Sequence, residues 1–276
     1  MAGDSDARAR FAALVARPEP PLDETALAIA AEEYPGLDPA PQLAELDRLG
    51  ALVRSRTTTP VRAASALRAL REVLFVEERF KGNSGDYDDP RNSFLNDVLE
   101  RRLGIPISLS VVAIEVARRA GLALDGVGFP GHFLVRYASP GGPEVFLDAF
   151  HGGDVLSGDE VLERFREKSG RRHDRRLLAP MPPRRIIGRM LRNLARVSLA
   201  RGDLVRAWWV ADRLVLTEPE DADALRDRGL AAARLGVAEA AVHDLETWLE
   251  RAPEQEDAAR IRELVSSLRA GPRMLS

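Results

Sequence analysis

The sequence predicts an α+β domain followed by an all-α repeat domain. Apolar residues recur at helical spacing in the first eighty residues and again from Arg184 onward. Between these regions, period-two and β-branched stretches indicate antiparallel strands. A fixed 34-residue period then recurs near the C-terminus. We therefore divide the chain into an N-terminal helical segment (1–80), an α+β core (81–180) and a repeat domain with a final capping helix (184–270).

The composition limits which classes of protein are possible. Hydrophobic residues make up 45% of the 276 residues, enough for a packed core, and the formal net charge is −3. The chain has no cysteine, which excludes disulfides, thiolate metal sites and a thiol nucleophile. The N-terminus carries acidic residues and no apolar stretch follows, which does not fit a secretory signal. We expect a cytoplasmic protein without a membrane segment.

Three helices are predicted in the N-terminal segment. Asp23 is in position to cap a helix over 24–33, which ends at a Tyr-Pro-Gly sequence. A second helix is predicted over 41–54, where leucines recur every three residues. The third is predicted over 60–75, because Pro60 is tolerated in a first helical turn.

The core should place two helices before a small sheet. A polar loop over 80–90 precedes a short helix over 94–103, for which Ser93 is the expected cap. Pro106 then opens a helix over 107–120. The stretches 123–129, 133–137 and 145–150 are predicted to form three antiparallel strands joined by turns rich in glycine and proline.

The C-terminal region contains an internal repeat with a period typical of tetratricopeptide repeats. Each such repeat is a pair of helices that buries its apolar face against its neighbours. Two repeats and a final helix over 256–269 are predicted. The matching positions are Ala195 and Gly229, Gly202 and Gly236, Ala207 and Ala241, Leu214 and Trp248, Pro219 and Pro253, and Asp223 and Asp257.

Three core segments resemble a known family. Residues 89–96, 99–108 and 128–137 read DPRNSFLN, LERRLGIPIS and GFPGHFLVRY. They resemble the SirB-type transglutaminase-like proteins, which carry tetratricopeptide repeats after the core. The resemblance implies a papain/transglutaminase-like core in which a helix precedes an antiparallel sheet. In transglutaminases a nucleophilic cysteine opens that helix, a histidine begins a following strand, and an aspartate lies on the next strand.

The resemblance assigns two of these three positions. It places the family histidine at His132 and the aspartate at Asp148, and neighbouring strands can present such a pair side by side. The cysteine position falls between Ile105 and Ser110, where the chain has no thiol and Ser108 is the candidate replacement. A serine hydroxyl would need His132 as a general base, because a helix dipole alone does little for it.

Each candidate also has an alternative structural interpretation. His132 and Asp148 either form a base and its orienting carboxylate or simply pin two strands together. Ser108 is either a nucleophile or a helix cap. Four polar residues either line a binding cleft or stabilise turns: Asn83, Asn92, Asn96 and His151.

His151 could join His132, but the spacing of the two histidines is not that of a metal site. A turn is the favoured interpretation of His151, and no metal or cofactor is expected. The strongly basic segment 164–196 suggests a nucleic-acid surface, but no aromatic residues interleave with its arginines. A solvated linker is therefore favoured there.

Three functions remain after this reasoning. The favoured one is a non-catalytic protein that binds a protein or peptide partner through its cleft and repeats. The second is a serine-dependent amidase, acyltransferase or peptidase-like hydrolase that uses Ser108, His132 and Asp148. The third is a nucleic-acid-binding regulator, which the acidic net charge disfavours.

Overall fold

The computed structural model describes residues 5–57, 63–138 and 144–270. The chain divides into two compact units. One unit spans Arg17–Met190 and contains the α+β core. The other combines Met1–Ala16 with Leu191–Ser276 and contains the repeats. None of the helices in these ranges combines the length and the hydropathy that crossing a membrane requires.

The α+β unit begins with helices α2 (Leu22–Glu33), α3 (Ala40–Ser55) and α4 (Ala63–Arg71), and a π-helical turn (Glu72–Glu77) continues α4. The first two begin and end within two residues of their predicted limits. Asp23 is not the cap that the sequence predicted, because α2 begins one residue before it. Its buried carboxylate instead accepts a hydrogen bond from Arg119 at 2.7 Å. The predicted start of the third helix, at Pro60, lies outside the described residues.

Two short strands flank the next helix. β1 (Lys81–Gly82) pairs in parallel with β2 (Leu103–Gly104), and α5 (Leu95–Arg101) lies between them in sequence. The cap predicted at Ser93 is wrong: Phe94 occupies the N-cap of α5, and no side chain caps that helix. Ser93 instead follows a 3-10 turn over Pro90–Asn92.

Helix α6 (Pro106–Arg119) runs through the core of this unit. Twelve of its fourteen residues are buried, so the helix is surrounded by protein rather than solvent. Pro106 opens α6 as predicted, since its missing N–H is not needed in a first turn. Gly121 follows the helix with φ +84°, a conformation that favours glycine.

A four-stranded antiparallel sheet follows α6. Its strands are β3 (Asp125–Val127), β4 (Leu134–Ala138), β5 (Glu144–Asp148) and β6 (Asp154–Ser157), in that order. Helix α7 (Gly158–Ser169) packs on the sheet, and buried aromatic and aliphatic side chains fill the space between them: Val127, Phe129, Leu134, Phe146, Leu156, Val161, Phe165 and Leu178. The fourth strand was not predicted, because only two of its four residues are apolar.

We expect Gly82→Ala to destabilise the α+β unit by about 1–3 kcal/mol, the usual cost of overpacking. A Cβ at Gly82 would lie 2.5 Å from the ring of Phe150, so that ring would have to move. Gly85→Ala in the same loop is the matched control, because its nearest neighbour would be 4.0 Å away. Urea unfolding followed by far-UV circular dichroism measures both variants. Equal stability of the two would contradict the prediction.

The C-terminal part of the chain forms two helix pairs and a final helix. The pairs are α8 (Pro183–Ala200) with α9 (Leu204–Thr217), and α10 (Ala222–Arg234) with α11 (Ala238–Arg251). Helix α12 (Ala258–Ala270) follows them. The division between the two units falls within α8.

The 34-residue period has a direct structural counterpart. Helix α11 begins 34 residues after the start of α9 and ends 34 residues after its end. At the repeated small position Gly229, a Cβ would lie 2.8 Å from Leu245, so α10 and α11 approach closely there. Helix α1 (Ser5–Val15) also belongs to this unit and packs on α9, where Arg8 Nε donates to Asp212 at 2.8 Å.

Candidate functional site

The sheet brings His132 and Asp148 together. His132 lies just before β4, and Asp148 is the last residue of β5. Because the two strands are antiparallel, with Val135 opposite Leu147, the start of one meets the end of the other. His132 Nε2 lies 2.9 Å from Asp148 Oδ1, and both side chains are buried. An ionised carboxylate only accepts hydrogen bonds, so Nε2 carries the proton in this pair.

His151 completes a three-residue group with this pair. Strand β5 leads into a 3-10 turn over Ala149–His151, which returns the chain toward the end of the strand. His151 Nδ1 then lies 2.8 Å from Asp148 Oδ2, and its backbone N–H also faces this carboxylate at 3.3 Å. His151 therefore lies in a turn, the favoured interpretation, and also joins His132. We refer to His132, Asp148 and His151 as the Asp148 cluster.

The Asp148 carboxylate is stabilised in its ionised form. Burial by itself would raise its pKa, but hydrogen bonds and favourable charge interactions from His132 and His151 outweigh burial and hold the pKa below its usual value. Arg164 Nη1 lies 3.7 Å from Oδ2 and adds a further positive charge. The cluster therefore presents an anionic centre between two imidazoles.

Aromatic rings surround His132. The centroids of Phe165 and Phe150 lie 5.4 and 6.3 Å from the centroid of its ring. Tyr87, from the polar loop, meets Phe150 edge-on at 5.9 Å and is 40% exposed. The loop predicted to line a cleft therefore approaches the Asp148 cluster through Phe150.

Arg189 fixes the backbone that carries His132. Its Nη2 donates to the carbonyl oxygens of Phe129 and His132, at 2.6 and 2.7 Å. Burial lowers the pKa of this guanidinium. In the sequence Arg189 is one of the arginines of the basic segment. Its role at His132 was not predicted, because no local pattern connects residues so far apart in the chain.

Ser108 has the contacts of a structural residue. It lies in the first turn of α6 and is fully buried. Its hydroxyl donates to the carbonyl of Asn92 at 2.6 Å and accepts from the backbone N–H of Ile105 at 3.1 Å. In the part of the chain that the structure describes, no hydrogen bond joins Ser108 to His132. Since a hydroxyl has one proton, this contact with Asn92 favours the cap over the nucleophile.

Two of the three predicted cleft amides form hydrogen bonds within their own loop. Asn83 Nδ2 donates to Asn92 Oδ1 at 3.0 Å, and Asn92 Nδ2 donates to the carbonyls of Asp86 and Tyr87. The side-chain oxygen of Asn96 is buried and has no hydrogen-bond partner among the described residues. Binding roles for Asn83, Asn92 and Asn96 remain predictions.

The basic segment is partly compensated by acidic neighbours. Several of its arginines form ion pairs within the chain, which reduces the positive charge that would attract a nucleic acid. The pairs include Arg164 with Asp154, Arg166 with Glu163, Arg175 with Asp159, Arg176 with Asp174, and Arg192 with Glu218.

Comparison with known proteins identifies the same two parts. Residues 41–192 match the family model described as Transglutaminase-like superfamily, and residues 194–266 match Tetratricopeptide repeat. A UPF0162 protein of Xylella fastidiosa is 43% identical over 251 residues, which cover 88% of each chain. A UPF0162 protein of Pseudomonas aeruginosa is 34% identical over 242 residues, 85% of this chain and 86% of that protein.

A further similarity is confined to part of the chain. F-box only protein 21 of Mus musculus is 39% identical over 106 residues, 35% of this chain and 17% of that protein. The bacterial relatives, by contrast, match across both the core and the repeats. The predicted resemblance and fold class are confirmed, and the chain belongs to the transglutaminase-like superfamily, within the SirB-like UPF0162 proteins that carry C-terminal tetratricopeptide repeats.

Proposed function

We propose that this protein is a non-catalytic binding factor that holds a protein or peptide partner in the cytoplasm, through its repeats and the predicted cleft of its core. One observation carries the proposal: the hydroxyl of Ser108, the candidate replacement for the family cysteine, is buried and donates its proton to Asn92. The chain also contains no thiol. His132 and Asp148 thus retain the arrangement of a base and its orienting carboxylate without a nucleophile to activate.

The repeat unit offers a groove for such a partner. A cavity of about 380 Å³ lies between α10 and α12. Leu230, Ile261, Leu264 and Leu268 give it an apolar floor. Two cations, Arg234 and Arg260, and one anion, Asp257, also line it, so its charged groups have a net positive charge. These features suit a short peptide with apolar side chains and an acidic group, since the cations would complement the acidic charge.

Peptide display against the purified full chain tests the groove. We expect selected peptides to bind the wild type and to lose at least about tenfold in affinity with Leu268→Glu, which places a charge in an apolar site. Ser267→Glu is the matched control: it adds the same charge at the adjacent, exposed position of α12, outside the groove lining. Equal binding by both variants would exclude the groove as the binding surface.

Reaction with a fluorophosphonate probe tests the absence of catalysis. We expect no specific labelling of the wild type, and none of Ser108→Ala. The substitution should cost about 1–3 kcal/mol in stability, because it leaves buried backbone groups without their partner. Labelling of the wild type that Ser108→Ala and His132→Ala both abolish, with the fold retained, would instead establish a serine-dependent enzyme.

A further inference from the structure

Beyond binding a partner, we propose that the Asp148 cluster is a site for a divalent transition metal of the class that includes Zn²⁺. The fold brings two imidazole nitrogens and one carboxylate oxygen within 4.8 Å of one another, although their sequence spacing does not indicate a metal site. Imidazole nitrogen suits zinc, copper, iron and nickel, whereas calcium and magnesium prefer oxygen ligands. The donor set therefore selects the metal class.

The ligand atoms must move closer together to receive the ion. Zinc binds imidazole nitrogen at about 2.0–2.1 Å, so two such ligands in a tetrahedral site stand about 3.4 Å apart. The present upper limit of 4.8 Å exceeds this by about 1.4 Å. His151 is the residue able to close that gap, because its side chain is 52% exposed while Asp148 is held in the core.

Metal binding would replace the two hydrogen bonds that now hold the cluster together. Each imidazole has its proton on the nitrogen that faces Asp148. On binding, that proton moves to the other ring nitrogen, and the vacated lone pair coordinates the ion. For a neutral ring this is a change of tautomer, so the step neither gains nor loses a proton. The exposed side of His151 leaves solvent access for a water in the fourth position of a tetrahedral site.

Arg164 is the group that opposes the ion. Its Nη1 lies 3.7 Å from Asp148 Oδ2, and its Nη2 lies 3.4 Å from Asp154. A guanidinium this close repels a divalent cation. Arg164 thus has a second carboxylate that can hold it when a metal occupies the cluster. We infer that removing its charge strengthens metal binding.

Titration of the metal-free full chain with ZnCl₂ in a calorimeter, and with CoCl₂ by visible absorption, tests the site. We expect one equivalent of metal to bind. His151→Ala should weaken binding by at least about tenfold, since it removes a direct ligand. His243→Ala, which removes an exposed histidine on α11, is the matched control and should bind as the wild type does. Because the chain lacks cysteine, a thiolate site cannot account for the signal.

A second variant tests the role of Arg164 without removing a ligand. We expect Arg164→Met to bind zinc at least about threefold more tightly, because one nearby positive charge is gone. Absence of saturable binding by the wild type, or equal affinity of the wild type and His151→Ala, would overturn the proposal. Weaker binding by Arg164→Met would also count against it. None of these outcomes affects the peptide assay on α12, so the metal site and the proposed partner binding are tested separately.

Discussion

Replacing Arg228 with methionine is expected to destabilise the repeat unit by about 3–5 kcal/mol, the usual cost of leaving a buried charge without its partner. Arg228 Nε and Nη2 each lie 2.7 Å from the carboxylate of Asp244, and Nη1 lies 2.8 Å from Asp212. Both aspartates are buried. Asp212 keeps its contacts with Arg8 and Arg213, whereas Asp244 loses both bonds from Arg228.

Tryptophan fluorescence reports on this unit selectively, because Trp208, Trp209 and Trp248 all lie within it. Arg269→Met is the matched control. It breaks the ion pair with Glu246 on the surface of the same unit, where such a pair contributes at most about 1 kcal/mol. If Arg228→Met lowered the free energy of unfolding as little as the control does, the buried network would not stabilise the repeats.

The effect of Arg228→Met should depend on pH. Burial tends to raise the pKa of Asp212, but a hydrogen bond from Arg8 and the charges of Arg213 and Arg228 lower it below its unfolded value near 3.8. A lowered carboxyl pKa contributes stability above that value, and this stability is lost as the pH falls through the folded pKa. The difference in free energy of unfolding between the wild type and Arg228→Met should therefore become smaller below about pH 4.

Replacing Trp248 with alanine is expected to lower the free energy of unfolding of the repeat unit by about 3–5 kcal/mol, the range for deleting a large buried aromatic side chain. Trp248 is fully buried where α11 packs in the repeat core with Leu225, Leu245, Ile261 and Val265. Its indole Nε1 has no hydrogen-bond partner among the described residues. Trp248→Phe should cost clearly less, because it keeps a ring in the core and removes this unpaired N–H.

Urea unfolding followed by far-UV circular dichroism is the appropriate measurement, since both variants lose one of the fluorescent residues. The comparison separates the contribution of volume from that of the indole nitrogen. Equal destabilisation by Trp248→Ala and Trp248→Phe would contradict the prediction. It would also mean that the position requires an indole rather than an aromatic ring of moderate size.

The amino-acid sequence by itself determined the fold class and the repeats. Helical periodicity is a local property, so α2, α3 and α6 begin and end close to their predicted limits. The 34-residue period reflects one helix pair encoded twice, and α9 and α11 follow it. Capping was less predictable: Asp23 lies inside the first turn of α2, where contact with Arg119 decides its role.

The tertiary structure decided the composition of the site. Pairing of β4 with β5 could be anticipated, and with it the contact between His132 and Asp148. The turn after β5 is what returns His151 to the same carboxylate, and neither residue spacing nor composition encodes that path. Ser108 lies in the first turn of α6 whether it serves as a helix cap or as a nucleophile, so its position in the sequence does not separate the two. Only its buried contact with Asn92, sixteen residues away, distinguishes a cap from a nucleophile, because a hydroxyl's single proton goes to the partner that the fold places nearest.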